Sequence, residues 1–433
     1  MQPKLHLHPP RNWANDPVGL IHYGGQYHVF YQYFPYATRW GTMHWRHATS
    51  PDLVHFEDQD IALFPSQYDD ANGCFSGSAI EKDGKMRLYY TGVRYTKPKK
   101  ENIHVNESGR DYEACQMMID SPDGMNFDNF HDKSLIIEAG AHGDRTDTRD
   151  PMVFKIGDDW YMVLASRYID EEGKHQGQLL FYVSPDSENW VFRKAYRGIK
   201  LGDMWECPNV FPVDEEQWAL IFSPERTEAY GYPSVPRMTL IEFEPKGCDL
   251  TITGDLQLLD EGRDLYAPQV STDAEGRKYY IGWMRMPEPV NGWRGMFSFP
   301  RLIEEKAGRL ITPIHPNADA QFTEESTFDP DVPCKITVDL HEGQSINIGG
   351  YFIKYKYGCL LCDRQEVYPD DGAGAPFVFL KDVDPCHLDI YIDQPLIEVF
   401  VNGGERVVSS IVYDLHDTIE SMAPYTLLIS TEE

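Results

Sequence analysis

Three acidic residues with similar neighbours could do chemistry together: Asp16 in NDP, Asp150 in RDP and Glu206 in ECP. Each has a proline directly after it or one residue later. In glycoside hydrolysis one carboxylate attacks the anomeric carbon while a carboxylic acid protonates the leaving oxygen. Convergent carboxylates can instead hold a hard cation such as calcium, although no D-x-D-x-D-G loop is present to complete such a site. Both interpretations stay open at this point.

The neighbours of the three acids predict unequal environments, which acid–base chemistry requires. Asp150 follows Arg149, whose fixed positive charge favours the carboxylate if the two side chains meet. Glu206 lies between Trp205 and Cys207, an apolar setting that favours the protonated acid. We therefore expect separate roles for these two residues.

A repeat along the chain predicts how the acids are positioned. Five segments combine an apolar run, a short turn and an aromatic-containing run, each typical of a β-hairpin. They start about 60 residues apart, with one longer interval that contains a polar insertion at 97–110. The segments begin at Val18, Ser78, Met152, Asn209 and Gln269.

A second motif, Ser-Pro-Asp at residues 50–52, 121–123 and 184–186, marks turns into further strands and raises the count to four strands per unit. Four-stranded units repeated radially predict an all-β fold, a five-bladed β-propeller. Each acid precedes an aromatic residue of a second strand by about ten to twelve positions. The acids should therefore lie at the heads of first strands and converge at one end of the propeller axis.

After Arg301 the pattern changes to a polar connector and then to alternating apolar runs, with an Asn402-Gly403 hairpin turn. This pattern predicts a C-terminal β-sandwich. The expected domains are a propeller at 1–308, a linker at 309–327 and a sandwich at 328–433. The sandwich carries no clustered acids, so we expect it to give structural support or contacts in a homo-oligomer.

Composition narrows the class of partner. The 433 residues carry a formal net charge of -30, which disfavours nucleic acid and anionic membrane surfaces. No apolar stretch approaches the ~20 residues that span a bilayer, and no secretory signal is evident. Among 8 cysteines only Cys359 and Cys362 form a C-x-x-C, without a second pair to bind zinc. We expect free thiols, a cytoplasmic protein, and neither metal nor cofactor.

Five ordered motifs resemble those of glycoside hydrolase family 32, which comprises invertases, fructan hydrolases and sucrose-6-phosphate hydrolases. The resemblance covers nearly the whole chain, including the C-terminal IEVFVNGGERVVSS. The motifs are WANDPVG at 13–19, FSGS at 75–78, RDP at 149–151, WECPNVF at 205–211 and YAPQ at 266–269.

The resemblance implies a role for each matching residue. Asp16 matches the nucleophile that forms a covalent fructosyl-enzyme, and Glu206 matches the general acid/base. Asp150, beside Arg149, matches the residue that binds fructose hydroxyls and stabilises the transition state. The resemblance also implies a pocket wall and rim formed by Asn15, Gln32, Trp40, Phe75, Ser76, Tyr266, Trp283 and Trp293. The three tryptophans could equally be packing residues of the blades.

Two positions depart from the usual family pattern. Val18 stands where many members have Asn, and Arg46 stands where Gly commonly precedes His47. The charge of Arg46 could serve a phosphorylated sucrose or form a salt bridge on the blade surface.

The sequence thus predicts a retaining β-fructofuranosidase with a small sugar as its partner: sucrose, sucrose 6-phosphate or short fructo-oligosaccharides. Two alternatives remain. A five-bladed arabinan-type hydrolase would invert configuration, and a non-catalytic carbohydrate-binding propeller would bind without turnover.

Overall fold

The computed structural model describes residues 2–227, 234–368, 375–380 and 383–431. Strands dominate, and the N-terminal part consists of consecutive antiparallel sheets. The first sheet contains β1 (Asn12–Tyr23), β2 (Gln26–Phe34), β3 (His44–Ser50) and β4 (Glu57–Leu63). The second contains β5 (Gly73–Lys82), β6 (Lys85–Tyr95), β9 (Tyr112–Ser121) and β10 (Ser134–Ile137), and the insertion folds as a hairpin of β7 (Pro98–Lys99) and β8 (Asn102–Asn106).

The next three sheets are also antiparallel and follow one another along the chain. The third contains β11 (Thr148–Ile156), β12 (Asp159–Ile169), β13 (His175–Ser184) and β14 (Val191–Tyr196). The fourth contains β15 (Met204–Pro212), β16 (Trp218–Glu225), β17 (Arg237–Glu244), β18 (Asp249–Ile252) and β19 (Gln257–Leu258). The fifth segment provides β20 (Leu265–Thr272), β21 (Lys278–Met284), β22 (Trp293–Arg294), β23 (Met296–Phe297) and β24 (Arg301–Leu302).

The five sheets form a ring around their first strands. β1 contacts β5, β5 contacts β11, β11 contacts β15, β15 contacts β20, and β20 contacts β1. In addition, β22 from the fifth segment pairs in parallel with β1, so Trp293 lies opposite Asn12. The predicted all-β fold, a propeller followed by a sandwich, is confirmed, and its first strands surround the axis as expected.

The C-terminal sandwich has a six-stranded and a five-stranded sheet. Its strands alternate buried and less buried residues, as Cys334, Ile336, Val338 and Leu340 show in β28. The elements after the propeller are β25 (Glu304–Lys306), β26 (Arg309–Ile311), α1 (Pro316–Asp319), β27 (Phe322–Glu325), β28 (Cys334–Leu340), β29 (Ser345–Ile348), β30 (Tyr351–Lys356), β31 (Cys359–Asp363), a 3-10 turn (Gln365–Val367), β32 (Phe377–Phe379), β33 (Cys386–Asp393), β34 (Leu396–Val401), β35 (Arg406–Ile411), β36 (Ile419–Ser421) and β37 (Tyr425–Ser430).

The predicted linker at 309–327 contains regular structure. β26 pairs with β25, and β27 pairs with β37 of the six-stranded sheet. Sheet pairing therefore extends the sandwich back to Phe322, ahead of the expected start at 328. The division of the chain into domains at these boundaries stays a prediction.

Buried charges join the two parts of the molecule. Arg301 of the propeller is fully buried and bonds Asp260 at 2.8 Å and Glu398 of the sandwich at 2.6 Å. His6 lies 2.8 Å from Asp393 and 3.5 Å from Glu398. Each of these buried charged side chains thus lies beside a group of opposite charge, which offsets the cost of removing it from water. Within the described residues, no helix is both long and apolar enough to cross a membrane.

Candidate active site

A β-bulge interrupts the first strand of every propeller sheet at the same level. A bulge inserts unpaired residues into one strand and re-aims their side chains. Here the bulges lie at one end of the ring and turn side chains toward the axis. The pairing register shifts between Ala14 and Pro17, Phe75 and Gly77, Arg149 and Met152, Glu206 and Asn209, and Tyr266 and Gln269.

The three acids lie at or beside these bulges. Glu206 is the last paired residue before its bulge, whereas Asp150 and Asp16 lie within theirs. Asp150 has a φ of 62° and Cys207 a φ of 47°, a left-handed conformation that is uncommon outside glycine. Such strained backbone persists where the surrounding structure holds it, typically at functional sites.

A cavity of about 600 Å³ opens at this end of the ring. It brings together eleven of the twelve predicted site residues: Asn15, Asp16, Gln32, Trp40, Phe75, Ser76, Arg149, Asp150, Glu206, Tyr266 and Trp283. Trp293 is not among the lining residues, because it is buried in a hydrophobic cluster and packs against His8. For Trp293 the structure favours the packing interpretation over the rim.

Asp16 is held by neutral hydrogen-bond donors. Ser76 Oγ donates to Oδ2 at 2.6 Å, and Asn15 Nδ2 donates to Oδ1 at 3.0 Å. Trp13 Nε1 in turn donates to Asn15 Oδ1 at 2.8 Å and fixes the amide. Burial raises the pKa of Asp16, while the bonds from Ser76 and Asn15 act in the opposite direction. Both carboxylate oxygens are thereby oriented.

Asp150 shares a neighbour with Asp16. Cys207 donates its backbone N–H to Asp150 Oδ2 at 2.9 Å, and its Sγ lies 3.6 Å from Asp16 Oδ2 and 3.7 Å from Asp150 Oδ2. The carboxylates of Asp16 and Asp150 therefore flank one thiol. Burial raises the pKa of Asp150 to about 7, with the charges of Glu206 and Asp16 adding to the rise and Arg149 opposing it.

Glu206 has a charged partner, contrary to the apolar setting expected from its sequence neighbours. Arg149 Nη2 donates to Glu206 Oε1 at 2.8 Å, and Tyr266 Oη donates to Oε2 at 2.8 Å. Consecutive side chains of a strand point to opposite faces. The Arg149 side chain therefore points away from that of Asp150 and reaches Glu206 on the neighbouring sheet. The expectation of an apolar environment for Glu206 is wrong.

The two departures from the family pattern have structural roles. Arg46 Nε donates to Asp58 Oδ1 at 2.7 Å, and Arg46 Nη1 donates to Asp60 Oδ1 at 3.2 Å. Arg46 is not a lining residue of the cavity, so the salt-bridge interpretation is confirmed. Val18 is buried in one cluster with Phe30 and Trp45.

Further residues of the cavity were not predicted. One group consists of Glu225 and Arg226, at the end of the second strand in the fourth sheet. Others come from the insertion and its flanks or from the fifth sheet: Tyr95, Val105, Asn106, Gly109, Tyr112 and Arg285. The sequence could have predicted Glu225. The Ser-Pro-Glu-Arg stretch at 223–226 ends the second strand of the hairpin that carries Glu206, and the two strands run antiparallel, so it lies at the same end of the sheet as Glu206.

The arrangement suits acid–base chemistry on a small polar ligand. Neutral donors orient one carboxylate, while a second interacts with a guanidinium and a phenol. Aromatic faces of Trp40, Phe75 and Trp283 complete the wall. No group of three or more His, Cys, Asp or Glu side chains in the described parts of the chain is arranged to hold a metal ion.

Comparison with known proteins places this geometry in a family. Residues 6–313 match the glycosyl hydrolases family 32 N-terminal domain, and residues 360–424 match the family 32 C-terminal domain. The chain is 32% identical to a sucrose-6-phosphate hydrolase of Escherichia coli, covering 95% of this chain and 89% of the relative. It is 31% identical to a raffinose invertase of Escherichia coli, covering 96% and 90%.

A solved structure agrees with these relatives. A mutant of the Bombyx mori GH32 beta-fructofuranosidase in complex with sucrose superposes with a TM-score of 0.80 at 25% identity, covering 99% of this chain and 93% of that one. The resemblance predicted from the five motifs is confirmed, and the chain belongs to glycoside hydrolase family 32.

Proposed function

We propose that the protein hydrolyses terminal β-D-fructofuranosides with retention of configuration. The observation that carries this proposal is the meeting of Asp16 and Glu206 in one cavity with partners of different kinds. Family membership supports the fructoside as substrate, since the relatives are named for sucrose 6-phosphate and raffinose and the Bombyx mori mutant is in complex with sucrose.

The reaction begins with two events at the glycosidic bond. The Asp16 carboxylate attacks the anomeric carbon of fructose while Glu206 gives its proton to the glycosidic oxygen. The carbon–oxygen bond breaks, the second sugar leaves as an alcohol, and fructose stays bonded to Asp16. Ser76 and Asn15 orient the attacking carboxylate.

Water completes the cycle. Glu206, now a carboxylate held by Arg149 and Tyr266, takes a proton from water, whose oxygen attacks the anomeric carbon and releases Asp16. Asp150 hydrogen-bonds fructose hydroxyls and balances the positive charge that develops on the ring. Two displacements at one carbon give overall retention.

The substrate set consists of sucrose, sucrose 6-phosphate and short fructo-oligosaccharides, and the site of action is the cytoplasm. The cysteines of the described residues are all free, which is typical of a reducing compartment and supports that location.

One experiment tests the function against its alternatives. Purified protein is assayed for kcat/KM with sucrose, sucrose 6-phosphate and kestose, and the first-formed fructose is followed by NMR. We expect turnover of at least one substrate, with the β-furanose appearing first. The α anomer appearing first would support an inverting hydrolase, and binding without turnover would support a non-catalytic propeller.

A further inference from the structure

A fourth carboxylate of the cavity, Glu225, lies beside the acid/base residue. In the fourth sheet Glu206 lies opposite Ser223, and Met204 lies opposite Glu225. Residues two apart on a strand share a face, so Glu206 and Glu225 are diagonal neighbours on one face of β15 and β16. Both line the cavity, and the Glu225 side chain is only 28% exposed.

The two glutamates share one guanidinium. Arg149 Nη2 lies 2.8 Å from Glu206 Oε1 and 3.3 Å from Glu225 Oε2. Arg149 Nη1 also donates to Asp147 Oδ1 at 2.7 Å. Thus three carboxylates contact a single buried cation, and the charge of Arg149 is divided among them.

This division matters for the proton that Glu206 must carry. A carboxylate paired with its own guanidinium is strongly stabilised in the ionised form, which is the wrong form for a general acid. A second carboxylate on the same guanidinium offsets that effect, since like charges at one site favour retention of a proton. Burial, and then the charge of Glu206, raise the pKa of Glu225 to about 7, so Glu225 is mainly a carboxylate only above that pH, and it is there that it competes for Arg149.

We propose that Glu225 is a positioning residue of this site, which shares Arg149 with Glu206 and so keeps Glu206 protonated for the first proton transfer. The inference rests on the proposed function, because it assigns Glu206 the role of acid. Glu225 acts through Arg149 and not on the reacting atoms.

Other charged and titratable groups also face the two glutamates, and the test must hold them constant. They come from every strand packed around the pair. These groups are Asp16, Tyr112, Asp147, Arg149, Asp150, Cys207, Arg226, Tyr266 and Arg285.

The variant Glu225→Gln removes the charge but keeps the size and a hydrogen-bond acceptor for Arg149. The charge of Arg149 is then divided between Glu206 and Asp147 only, so Glu206 loses its proton at lower pH. We expect the alkaline limb of the kcat/KM profile, measured with the best substrate, to move down by about one pH unit or more. The acidic limb should stay in place.

Two controls separate charge from structure. Glu188→Gln removes one of two carboxylates that share a buried guanidinium outside the cavity, that of Arg87, and its alkaline limb should match wild type. An aryl β-fructofuranoside with a good leaving group needs no proton in the first step. At alkaline pH Glu225→Gln should therefore slow sucrose cleavage more than aryl fructoside cleavage.

The outcomes distinguish the inference from the function. If wild type releases fructose and the folded Glu225→Gln variant has the same alkaline limb as wild type, the role of Glu225 is overturned. The proposed function then still stands. Absence of fructose release by wild type would overturn the proposed function as well. If circular dichroism shows that Glu225→Gln is unfolded, Glu225→Ser is measured in its place, and an unshifted limb there overturns the inference equally.

Discussion

At the scale of single residues, partners decide what each acid can do. The donors to Asp16 are neutral, so they orient the carboxylate without fixing its charge as an ion pair would. Glu206 contacts both a guanidinium and a phenol, which would stabilise the carboxylate left by the proposed proton transfer. In the proposed reaction, Glu206, which must regain a proton, thus lies where several charges compete, whereas neutral hydrogen bonds fix the orientation of Asp16, which attacks.

Replacing either acid should abolish most activity. Asp16→Ala removes the proposed nucleophile and should lower kcat by several orders of magnitude. Glu206→Ala should lower it by roughly 10²–10⁴-fold, the usual contribution of a general acid–base group. Azide should partly restore Glu206→Ala on an activated fructoside and give β-fructosyl azide. Near-wild-type rates in a folded variant of either kind would contradict the assignment.

Tyr266 provides a finer test of the same site. Tyr266→Phe removes the 2.8 Å hydrogen bond to Glu206 Oε2. A hydrogen bond to a charged group contributes about 1.5–3 kcal/mol, so kcat/KM should fall roughly tenfold or more. Tyr27→Phe removes a hydroxyl that bonds Ala274 N far from the cavity, and it should keep the wild-type rate. Equal rates for both variants would show that the Tyr266 bond has no catalytic effect.

At the scale of elements, the bulges of the first strands place the acids. They let residues at slightly different positions, such as Glu206 before its bulge and Asp150 within its own, reach one cavity. In the second sheet the bulge consists of Ser76 alone, because the next residue, Gly77, pairs with Tyr90 of the neighbouring strand. A Cβ on Gly77 would overlap the Tyr89 carbonyl oxygen, so only glycine fits there.

Gly77→Ala should therefore disturb both stability and activity. Overpacking of this kind costs about 1–3 kcal/mol, measurable by urea unfolding. Displacement of Ser76 should also weaken its bond to Asp16 and lower kcat. Gly24→Ala lies in a hairpin turn at a φ of 61° with open space around it, so it should lose about 1–2 kcal/mol of stability but no activity. Full activity in Gly77→Ala would argue against the role of the bulge.

The sequence predicted the hairpins and the placement of the acids, but not the pairing details that decide their partners. Hairpin spacing and the phase of the acids sufficed to place Asp16, Asp150 and Glu206 at one end of a ring. Pairing register and bulges are not visible in a single sequence, because they depend on partner strands. Hence the partner of Arg149 was mispredicted, Trp293 was assigned to the rim, and Glu225 was missed although its strand was recognised.

At the scale of the whole molecule, buried charges connect the sandwich to the propeller. Arg301 bonds Asp260 on its own side and Glu398 across the interface. Removing one member of a buried ion pair typically costs 3–5 kcal/mol, because the partner charge stays buried. Arg301→Met should lose about that much in urea unfolding. Lys306→Met breaks the exposed pair with Glu405 and should change stability by less than about 1 kcal/mol. Similar small effects for both would contradict a supporting role.

The N-terminal segment makes this stability depend on pH. Burial disfavours a charged His6, but the hydrogen bond to Asp393 and the nearby carboxylate of Glu398 outweigh it and raise the pKa of His6 from 6.5 to about 9. A raised pKa in the folded state means that the stabilisation is complete below pH 6.5 and is lost as pH rises through about 9. The Tm should fall over that window, and His6→Asn should flatten the fall. An equal slope in the variant would assign the loss to other groups.

The most direct test of the account is the identity of the residue that carries the sugar. Glu206→Ala is mixed with an activated aryl fructoside, quenched in acid and digested, and the peptides are examined by mass spectrometry. The first step needs no acid with this substrate and the second lacks its base, so the intermediate should accumulate. We predict a fructosyl adduct on Asp16. An adduct on another residue, or none while the variant still turns over the substrate, would contradict the account.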